Sequence, residues 1–331
     1  MGAVALAAVT LLAVQGCAPS DPAAAASGAR PSLTIAAARA AYETYVKDSR
    51  AAAADGDQEA GLNLDAGAAW AQAKAQYAAL ASTGTAIPGY QYGSKPTFYV
   101  PALTGYPRWF LAEVPRATEA NGRPGAVVDT LMVFDKLKAD EPWTLNGTTA
   151  LQQRLPALVV HDGYAVTAST TDAALLLRPE VVGATQAAVA DEGTANPSAA
   201  VIGAGPQTTG LYTAQAAHAG TESAQGLVYQ WLLEGAPFPQ FELQTADGGA
   251  LVLYGMYLNT TTEHHNLVTG SPIPVPAGFT PLLAAPTEIG YHAVYANWTY
   301  QFAAVDPPLT AANAKISVIA ASGAPTFGHA F

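Results

Sequence analysis

The chain has 331 residues, of which 50% are hydrophobic and 12% are charged, so it can bury two ordinary cores and is not a disordered chain. Its 14 Lys and Arg are outnumbered by 25 Asp and Glu, and this net charge of −11 argues against nucleic acid as a partner and against a basic membrane-binding patch. A single cysteine excludes an internal disulfide, so the fold depends on its core alone.

The N-terminal segment carries the most specific signal in the chain. Residues 2–14 form a charge-free apolar run that is too short to span a membrane and has the length of a signal-peptide core. Val14, Gly16 and Cys17 follow the pattern of small residues before a cysteine, which resembles the lipobox of bacterial lipoproteins. The resemblance implies a signal peptide over residues 1–16, a lipid on the Cys17 thiol, and an extracytoplasmic protein anchored to the cell membrane.

Two alternatives to lipidation at Cys17 remain open. Cys17 is instead an ordinary buried cysteine if a conventional signal peptide is cleaved before it. N-myristoylation at Gly2 is the second alternative, although Leu6 stands where that motif requires Ser or Thr.

The first half of the mature chain predicts two helices followed by strands. Residues 17–30 are rich in Ala, Ser, Pro and Gly and predict a flexible tether. Ser32 or Thr34 caps a first helix, which ends at 55–57, and Asp65 caps a second helix, which ends at Gly84. Strands are predicted at 95–110, 108–114, 127–138, 143–145, 155–161 and 163–166.

The second half repeats this order after a small polar break at 168–171. Helices are predicted over 171–191 and 209–223, and a hairpin is predicted at Asp247-Gly248-Gly249. The predicted strands cover 227–233, 241–245, 251–259, 291–305 and 315–321, and a disordered tail follows at 323–331.

Helices that precede antiparallel strands, twice over, predict an α+β fold. The element order resembles two tandem cones of the nuclear-transport-factor (NTF2-like) or ketosteroid-isomerase type, with domains at 31–167 and 171–322. The segments 98–110, 248–254 and 300–308 also resemble secreted lipoproteins of high-GC Gram-positive bacteria, a family without an assigned activity. No functional residues are implied by that resemblance.

No catalytic, cofactor-binding or metal-binding motif is present, and none of these sites or groups is predicted. An enzyme of the cone type requires a carboxylate opposite a tyrosine in its pocket. Residues of these types on predicted strands are Asp129, Asp135 and Tyr99 in the first half and Glu242, Tyr229 and Tyr257 in the second half. Nothing in the sequence distinguishes them from ordinary strand residues.

The histidines and the one glycine-rich loop favour structural roles. Glu263-His264-His265 is the only pair of adjacent histidines, but no third ligand stands at a metal-binding spacing. His161-Asp162 precedes Gly163 and predicts a turn rather than a catalytic dyad, and His218 and His292 stand alone. Pro206 removes a backbone N–H from the 203–206 loop, which argues against a phosphate site.

We therefore expect a non-catalytic envelope lipoprotein that binds a partner protein, a wall fragment or a small ligand. The alternative is an isomerase, dehydratase or hydrolase with its active site in one cone. A buried ionisable pair in a cone would favour the enzyme, and a cone filled by Trp109, Phe134 or Trp298 would argue against it. A structural spacer, the third possibility, would present a large exposed apolar patch.

Overall fold

A computed structural model of the chain describes residues 31–120, 123–265, 271–283 and 290–331. The helices are α1 (Ile35–Asp55), α2 (Gln58–Leu62), α3 (Gly67–Thr83), α4 (Pro179–Glu192) and α5 (Thr209–Ala224). The strands are β1 (Gly89–Tyr92), β2 (Thr97–Tyr99), β3 (Arg108–Ala120), β4 (Arg123–Lys136), β5 (Thr144–Leu151), β6 (Val160–His161), β7 (Tyr164–Ala165), β8 (Leu227–Gly235), β9 (Phe241–Gln244), β10 (Ala250–His264), β11 (Ala293–Asp306) and β12 (Ser317–Ala330).

The first helix begins and ends where the sequence predicts. The Thr34 hydroxyl accepts a hydrogen bond from the Ala37 N–H at 3.1 Å, which satisfies one of the free donors at the start of α1. Gly56 ends the helix with a φ of 66°, a left-handed conformation that glycine adopts without strain. Ala38 and Tyr42 on one face of α1 are buried against the sheet, whereas Ile35 at its start is exposed.

Ten strands form one antiparallel sheet with the order β1-β3-β4-β5-β12-β11-β10-β8. Strand β2 also pairs with β3, and β9 also pairs with β10. The strands of the first half and those of the second half meet where β12 pairs with β5, at Ala320–Leu151 and Ala321–Ala150. The C-terminal strand therefore lies in the middle of the sheet.

Side chains complete the junction between β5 and its neighbours, because only two residue pairs connect β5 to β12. The Gln301 side-chain oxygen accepts a hydrogen bond from the backbone N–H of Thr148, and its amide nitrogen donates to Gln72 Oε1 on α3 at 3.1 Å. The Ala150 N–H donates to the Ser322 hydroxyl at 3.0 Å. These side chains satisfy backbone groups that a regular strand pair would satisfy.

The largest apolar clusters lie on both faces of the sheet. One packs α1 and α3 on the first-half strands, and another packs α4 and α5 on the second-half strands. A third cluster takes residues from both halves, among them Trp109, Leu111, Phe241 and Leu253. The two halves thus share both a sheet and a core.

The structure is α+β, with a large antiparallel sheet and several helices, but the two tandem cone domains at 31–167 and 171–322 are not confirmed. Pro31–Phe331 forms one compact unit. The predicted break at 168–171 follows directly on a segment that is hydrogen-bonded to β9: Thr167 is bridged to Leu243, and the Ala168 N–H donates to the Glu242 carbonyl. The repeated element order reflects two halves of one sheet.

The predicted disordered tail at 323–331 is wrong. Strand β12 extends to Ala330, and its pairing with β11 continues to Ala330–Val294. Glycine, alanine and proline in this segment give no alternating pattern, so its strand conformation depends on the neighbouring β11. The other boundary errors are smaller. The helix predicted from residue 171 begins at Pro179, because proline suits the first turn of a helix. Strand β10 extends five residues beyond the predicted end at residue 259, and β11 begins two residues after the predicted start at residue 291.

The predicted hairpin at Asp247-Gly248-Gly249 is confirmed between β9 and β10. Gly248 has a φ of 86°, and the Asp247 carboxylate accepts hydrogen bonds from the Thr245 hydroxyl at 2.5 Å and from the Gly249 N–H at 3.3 Å.

No helix among the residues of this structure combines the length and the hydropathy that are needed to cross a bilayer.

Candidate functional site

A pocket with polar and aromatic walls lies at the edge of the first-half helix layer, between α1, α3, β1 and β3. The space between these walls, together with the open solvent at the mouth, is about 590 Å³. Its titratable lining residues are Tyr45, Arg50, Asp65, Tyr77, Tyr90, Tyr92 and Arg116.

The backbone before α3 places Asp65 in this pocket rather than at the helix cap. Ala66, not Asp65, is the N-cap residue, and it makes no side-chain capping bond. The segment is held against β5, where the Ala66 N–H donates to the Leu145 carbonyl and the Leu145 N–H donates to the Leu64 carbonyl. The Asp65 side chain is therefore free to point toward α1. The prediction that Asp65 caps the second helix is wrong.

Asp65 forms a hydrogen-bonded pair with Tyr45. The Tyr45 hydroxyl donates to Oδ1 of Asp65 at 3.2 Å. Burial raises the pKa of Asp65 to about 7, and the hydrogen bond from Tyr45 opposes that rise. Burial, and secondly the charge of Asp65, raises the pKa of Tyr45, so the phenol remains a hydrogen-bond donor. Near neutral pH the pocket therefore contains a carboxyl group that is present in both protonation states.

Two arginines line the pocket beside Tyr90 and Tyr92. Arg50 on α1 donates from Nε and Nη2 to the Tyr90 carbonyl at 3.3 and 3.0 Å, and its guanidinium lies 5.3 Å from the centre of the Tyr92 ring. Arg116 on β3 faces Tyr92 across the strand pair, and its guanidinium lies 4.1 Å from the centre of the Tyr90 ring. Stacking on aromatic rings holds both cations in place.

Tyr77 closes the pocket from the α3 side. Its ring lies so close to Gly61 that a Cβ at that position would overlap the phenol, which explains why glycine is required there. Burial raises the pKa of Tyr77, and the neighbouring charges of Asp65 and Asp57 raise it further. Tyr77 and Tyr45 thus supply neutral hydroxyl groups next to the Asp65 carboxyl.

This arrangement combines two guanidinium groups, two phenol hydroxyls and a carboxyl group of raised pKa around one pocket. The guanidinium groups can bind a negatively charged group, and the hydroxyls can form hydrogen bonds with a polar ligand. The Asp65 carboxyl can also exchange a proton with a bound molecule near neutral pH.

The first-half candidates Asp129, Asp135 and Tyr99 do not form a site together. Asp135 is buried and accepts hydrogen bonds from the Thr144 hydroxyl at 2.9 Å and from the Asn146 amide at 3.2 Å. The Tyr99 hydroxyl donates to Glu113 at 3.4 Å, and Asp129 is exposed. Asp135 therefore anchors the bulge between β4 and β5, which is a structural role.

The second-half candidates Glu242, Tyr229 and Tyr257 are also separate. In the sheet register Glu242 is opposite Val252 and Tyr229 is opposite Thr262, so the two positions are ten residues apart along β10. Tyr257 alternates to the other face of the sheet from both. The Tyr229 hydroxyl donates to Gln215 on α5 at 2.6 Å, which ties that helix to the sheet edge.

Glu242 is buried, and its Oε1 atom has no hydrogen-bond partner in the structure. Burial raises the pKa of Glu242 to about 7. Asp306 on the same face of the sheet is also buried, burial raises its pKa to about 7, and its Oδ2 atom has no partner. Neither residue lines the pocket with Asp65, so we assign neither to the site.

The histidines remain apart from the pocket. His161 lies in the two-residue strand β6, and Asp162 has a φ of 51°, which is a turn conformation. His264 contacts the Ser271 carbonyl at 3.0 Å, and His218 lies 3.6 Å from Glu222 on α5. The described part of the chain contains no group of three or more metal-ligand side chains.

Cys17, the signal peptide and the tether lie outside the described residues.

The interior of the first half is filled. Phe134 is fully buried and stacks on Phe110 with ring centres 4.9 Å apart, and Trp109 packs on Phe241 at 5.1 Å. This filling argues against a deep active site under the helices. The pocket with Asp65 lies beside the filled interior, at its rim.

Sequence reasoning missed Asp65, Arg50 and Arg116 because each stands in an ordinary local context. Asp65 precedes a helix, Arg50 lies on an exposed helix face, and Arg116 occupies a strand. The one available signal was the repeated tyrosine at positions 90 and 92 near a strand that carries an arginine.

Comparison with known proteins gives a family and one relative. The family model described as Domain of unknown function (DUF8094) matches residues 29–326. A protein of Streptomyces avermitilis described as "Uncharacterized lipoprotein" is 30% identical over 182 residues, which are 53% of this chain and 48% of that protein. The chain therefore spans about half the length of that relative. No solved structure matches. These findings support the predicted similarity to lipoproteins without an assigned activity.

Proposed function

The chain belongs to the family described as Domain of unknown function (DUF8094), and we propose that it is a membrane-anchored envelope lipoprotein that binds a small-molecule ligand without transforming it. The observation that carries this proposal is the convergence of Tyr45, Asp65, Tyr77 and two arginines on one pocket. Polar groups that converge on one concave site are typical of ligand binding.

The anchor is supported by two observations. The lipobox-like sequence ends at Cys17, and the relative in Streptomyces avermitilis is described as a lipoprotein. The lipid would hold the folded part at the outer face of the membrane, since each buried methylene of an acyl chain contributes about 0.8 kcal/mol. The residues between Cys17 and the first helix would form the tether.

The anchor is tested with Cys17→Ala in cells. We expect the variant to be released into the medium or retained as the unprocessed precursor, whereas the wild-type chain partitions into detergent with the mature mass. A Cys17→Ala protein that still has the mature mass and still partitions into detergent would show that lipidation at Cys17 is wrong.

Ligand binding is tested by a thermal-shift screen of the full chain in detergent against metabolites, wall fragments and envelope extract. A ligand at about 100 times its dissociation constant stabilises the folded chain by about 2.7 kcal/mol. Ala53→Phe fills the pocket from α1, and Ala54→Phe places the same side chain on the exposed face of that helix. We expect a stabilising compound to lose its effect in Ala53→Phe and to keep it in Ala54→Phe.

A second candidate function is acid–base catalysis in the same pocket. The specific observation in its favour is the Asp65–Tyr45 pair, because it combines a carboxyl of raised pKa with a phenol donor. Once a ligand is found, turnover separates the two functions. Chemical conversion that is lost in Asp65→Asn and retained in Asp135→Asn would favour the enzyme, and an unchanged ligand would favour the binding protein.

A further inference from the structure

We propose that the ligand of this pocket is an organic carboxylate or phosphate that carries hydroxyl groups, and that Arg50 and Arg116 bind its charged group. This inference rests on the proposed binding function and assigns its ligand class. It is carried by the placement of the two arginines and by the polar groups of the remaining lining.

Neither arginine forms an ion pair with a carboxylate in the described part of the chain. The ion pairs within 4.0 Å in the described part of the chain join Lys138 to Glu141, Arg178 to Glu180, and His218 to Glu222. Arg50 and Arg116 have no carboxylate partner there, although the whole chain carries 25 acidic and 14 basic residues. The pocket thus contains two cations and one partly ionised carboxyl group, that of Asp65, and the excess of positive charge favours an anion.

Tyr90 fixes the positions of both guanidinium groups. Its carbonyl accepts two hydrogen bonds from Arg50, and its ring lies under Arg116 at 4.1 Å. Arg50 uses Nε and Nη2 in these bonds, so Nη1 remains available to a ligand. A guanidinium held in advance loses less side-chain freedom when it binds a carboxylate or a phosphate.

The positive surface continues beyond Tyr92 into a shallow groove. Arg39 stacks on Phe98 with its guanidinium 4.9 Å from the ring centre, and Lys47 lines the same groove. Glu43 is the acidic residue of that groove. Arg50 and Tyr92 line both the pocket and the groove and form the wall between them. We therefore place the charged group of the ligand where the pocket meets the groove.

The rest of the pocket favours a ligand with hydroxyl groups. Ser49 and Gln76 line it together with the phenols of Tyr45 and Tyr77, and side chains of these four types can form hydrogen bonds with hydroxyl groups. A sugar acid or a sugar phosphate has both the charge and the hydroxyl groups that this lining can bind.

The test uses three probes of one shape: glucose 6-phosphate, glucuronate and neutral glucose. Isothermal titration of the full chain in detergent at constant ionic strength measures each dissociation constant. We expect at least one of the two anions to bind and to bind roughly tenfold or more tightly than glucose, a difference of about 1.4 kcal/mol. The stronger of the two anions distinguishes a phosphate from a carboxylate ligand.

Arg50→Gln and Arg116→Gln remove each charge, and Arg154→Gln removes an exposed arginine that lies outside the pocket. We expect anion binding to fall roughly tenfold in each pocket variant and to be unchanged in Arg154→Gln. Circular dichroism confirms that each variant is folded. Anion binding that is unchanged in both pocket variants would overturn the inference.

Two further outcomes would also overturn it. One is equal affinity for glucose and for both anions, and the other is no binding of either anion up to about 10 mM, a weak affinity for a specific site. If a neutral compound from the thermal-shift screen still loses its effect in Ala53→Phe, the binding function stands and the anionic ligand class fails. The two proposals therefore fail separately.

Discussion

The hydroxyl of Tyr45 donates a hydrogen bond to Oδ1 of Asp65 at 3.2 Å, and this bond joins α1 to the segment that enters α3. The bond lies at the wall of the pocket, so the protonation of Asp65 affects both the stability of the helix layer and the charge of the site. Each consequence can be measured.

Asp65 makes the stability of the chain decrease as the pH rises. Its pKa of about 7 in the folded chain is above the value of about 3.9 in the unfolded chain, so between these values the folded chain binds more protons. Its contribution is therefore lost as the pH rises from about 4 to about 7. We expect Asp65→Asn to reduce the fall in melting temperature over this range. A wild-type slope in the variant would contradict the raised pKa.

The same ionisation acts on the pocket. The charged and titratable groups around Asp65 are Tyr45 and Arg50 on α1, Tyr77 on α3, Tyr90 and Tyr92 on β1, and Arg116 on β3. Ionised Asp65 adds a negative charge among them, so we expect a carboxylate ligand such as glucuronate, which is ionised at both pH values, to bind more tightly at pH 6 than at pH 8. Asp65→Asn should remove this difference, and titration calorimetry at the two pH values measures it.

Glu242 costs stability whenever it is ionised, because its Oε1 atom is buried without a partner. We expect Glu242→Met to raise the free energy of unfolding at pH 8 by about 1–3 kcal/mol and to change it much less at pH 5, where the carboxyl is protonated. Denaturant unfolding at both pH values measures the effect. Glu263→Met, at an exposed position of β10, is the matched control. A stabilisation of the same size at both pH values would refute the explanation by charge.

Gln301 is expected to hold the two halves of the sheet together. Gln301→Leu removes the acceptor of the Thr148 N–H and the donor to Gln72 Oε1, and it leaves a buried N–H and a half-buried amide oxygen without these partners. We expect a loss of about 2–4 kcal/mol in the free energy of unfolding, together with faster hydrogen exchange at the Thr148 amide. Gln225→Leu, at an exposed position after α5, should change stability by less than about 0.5 kcal/mol. Equal effects of the two variants would show that the junction does not depend on Gln301.

Deletion of residues 323–331 tests the C-terminal half of β12. This segment pairs with β11 from Tyr300 to Val294 and supplies Ala330 to an apolar cluster with Leu227 and Val294. We expect the truncated chain to melt at least roughly 5 °C below the full chain, because it loses these backbone bonds and this burial. An unchanged melting temperature would be the result that a disordered tail predicts.

Much of the local structure could be predicted from particular residues. Thr34 begins α1, Gly56 and Gly84 end α1 and α3, and Asp247-Gly248-Gly249 forms a hairpin. These signals work because a cap or a turn depends on the conformation of a few adjacent residues. The aromatic strand near Tyr300 and the buried strand near Met132 were also located, since strong apolar patterns survive in most environments.

Long-range pairing could not be predicted in the same way. Asn146-Gly147 has the composition of a turn, yet it lies inside β5 at a bulge, where Asn146 donates to Asp135. Residues 323–331 lack an alternating pattern, yet β11 provides a partner for them. In both segments contacts with distant strands outweigh the local preference, because β-propensity depends mainly on the neighbours of a strand.

The sequence alone determined the class of the chain and the nature of its signals: an acidic α+β protein without disulfides, with one cysteine at a lipobox-like position and helices that precede antiparallel strands. The tertiary structure alone decided that the C-terminal strand β12 joins β5 and unites both halves in one sheet. It also decided that Asp65 meets Tyr45, with Arg50 and Arg116 in the walls of the same pocket. Composition and periodicity describe single elements, whereas a pocket depends on which elements pack together, and that choice is made by contacts between residues far apart in the chain.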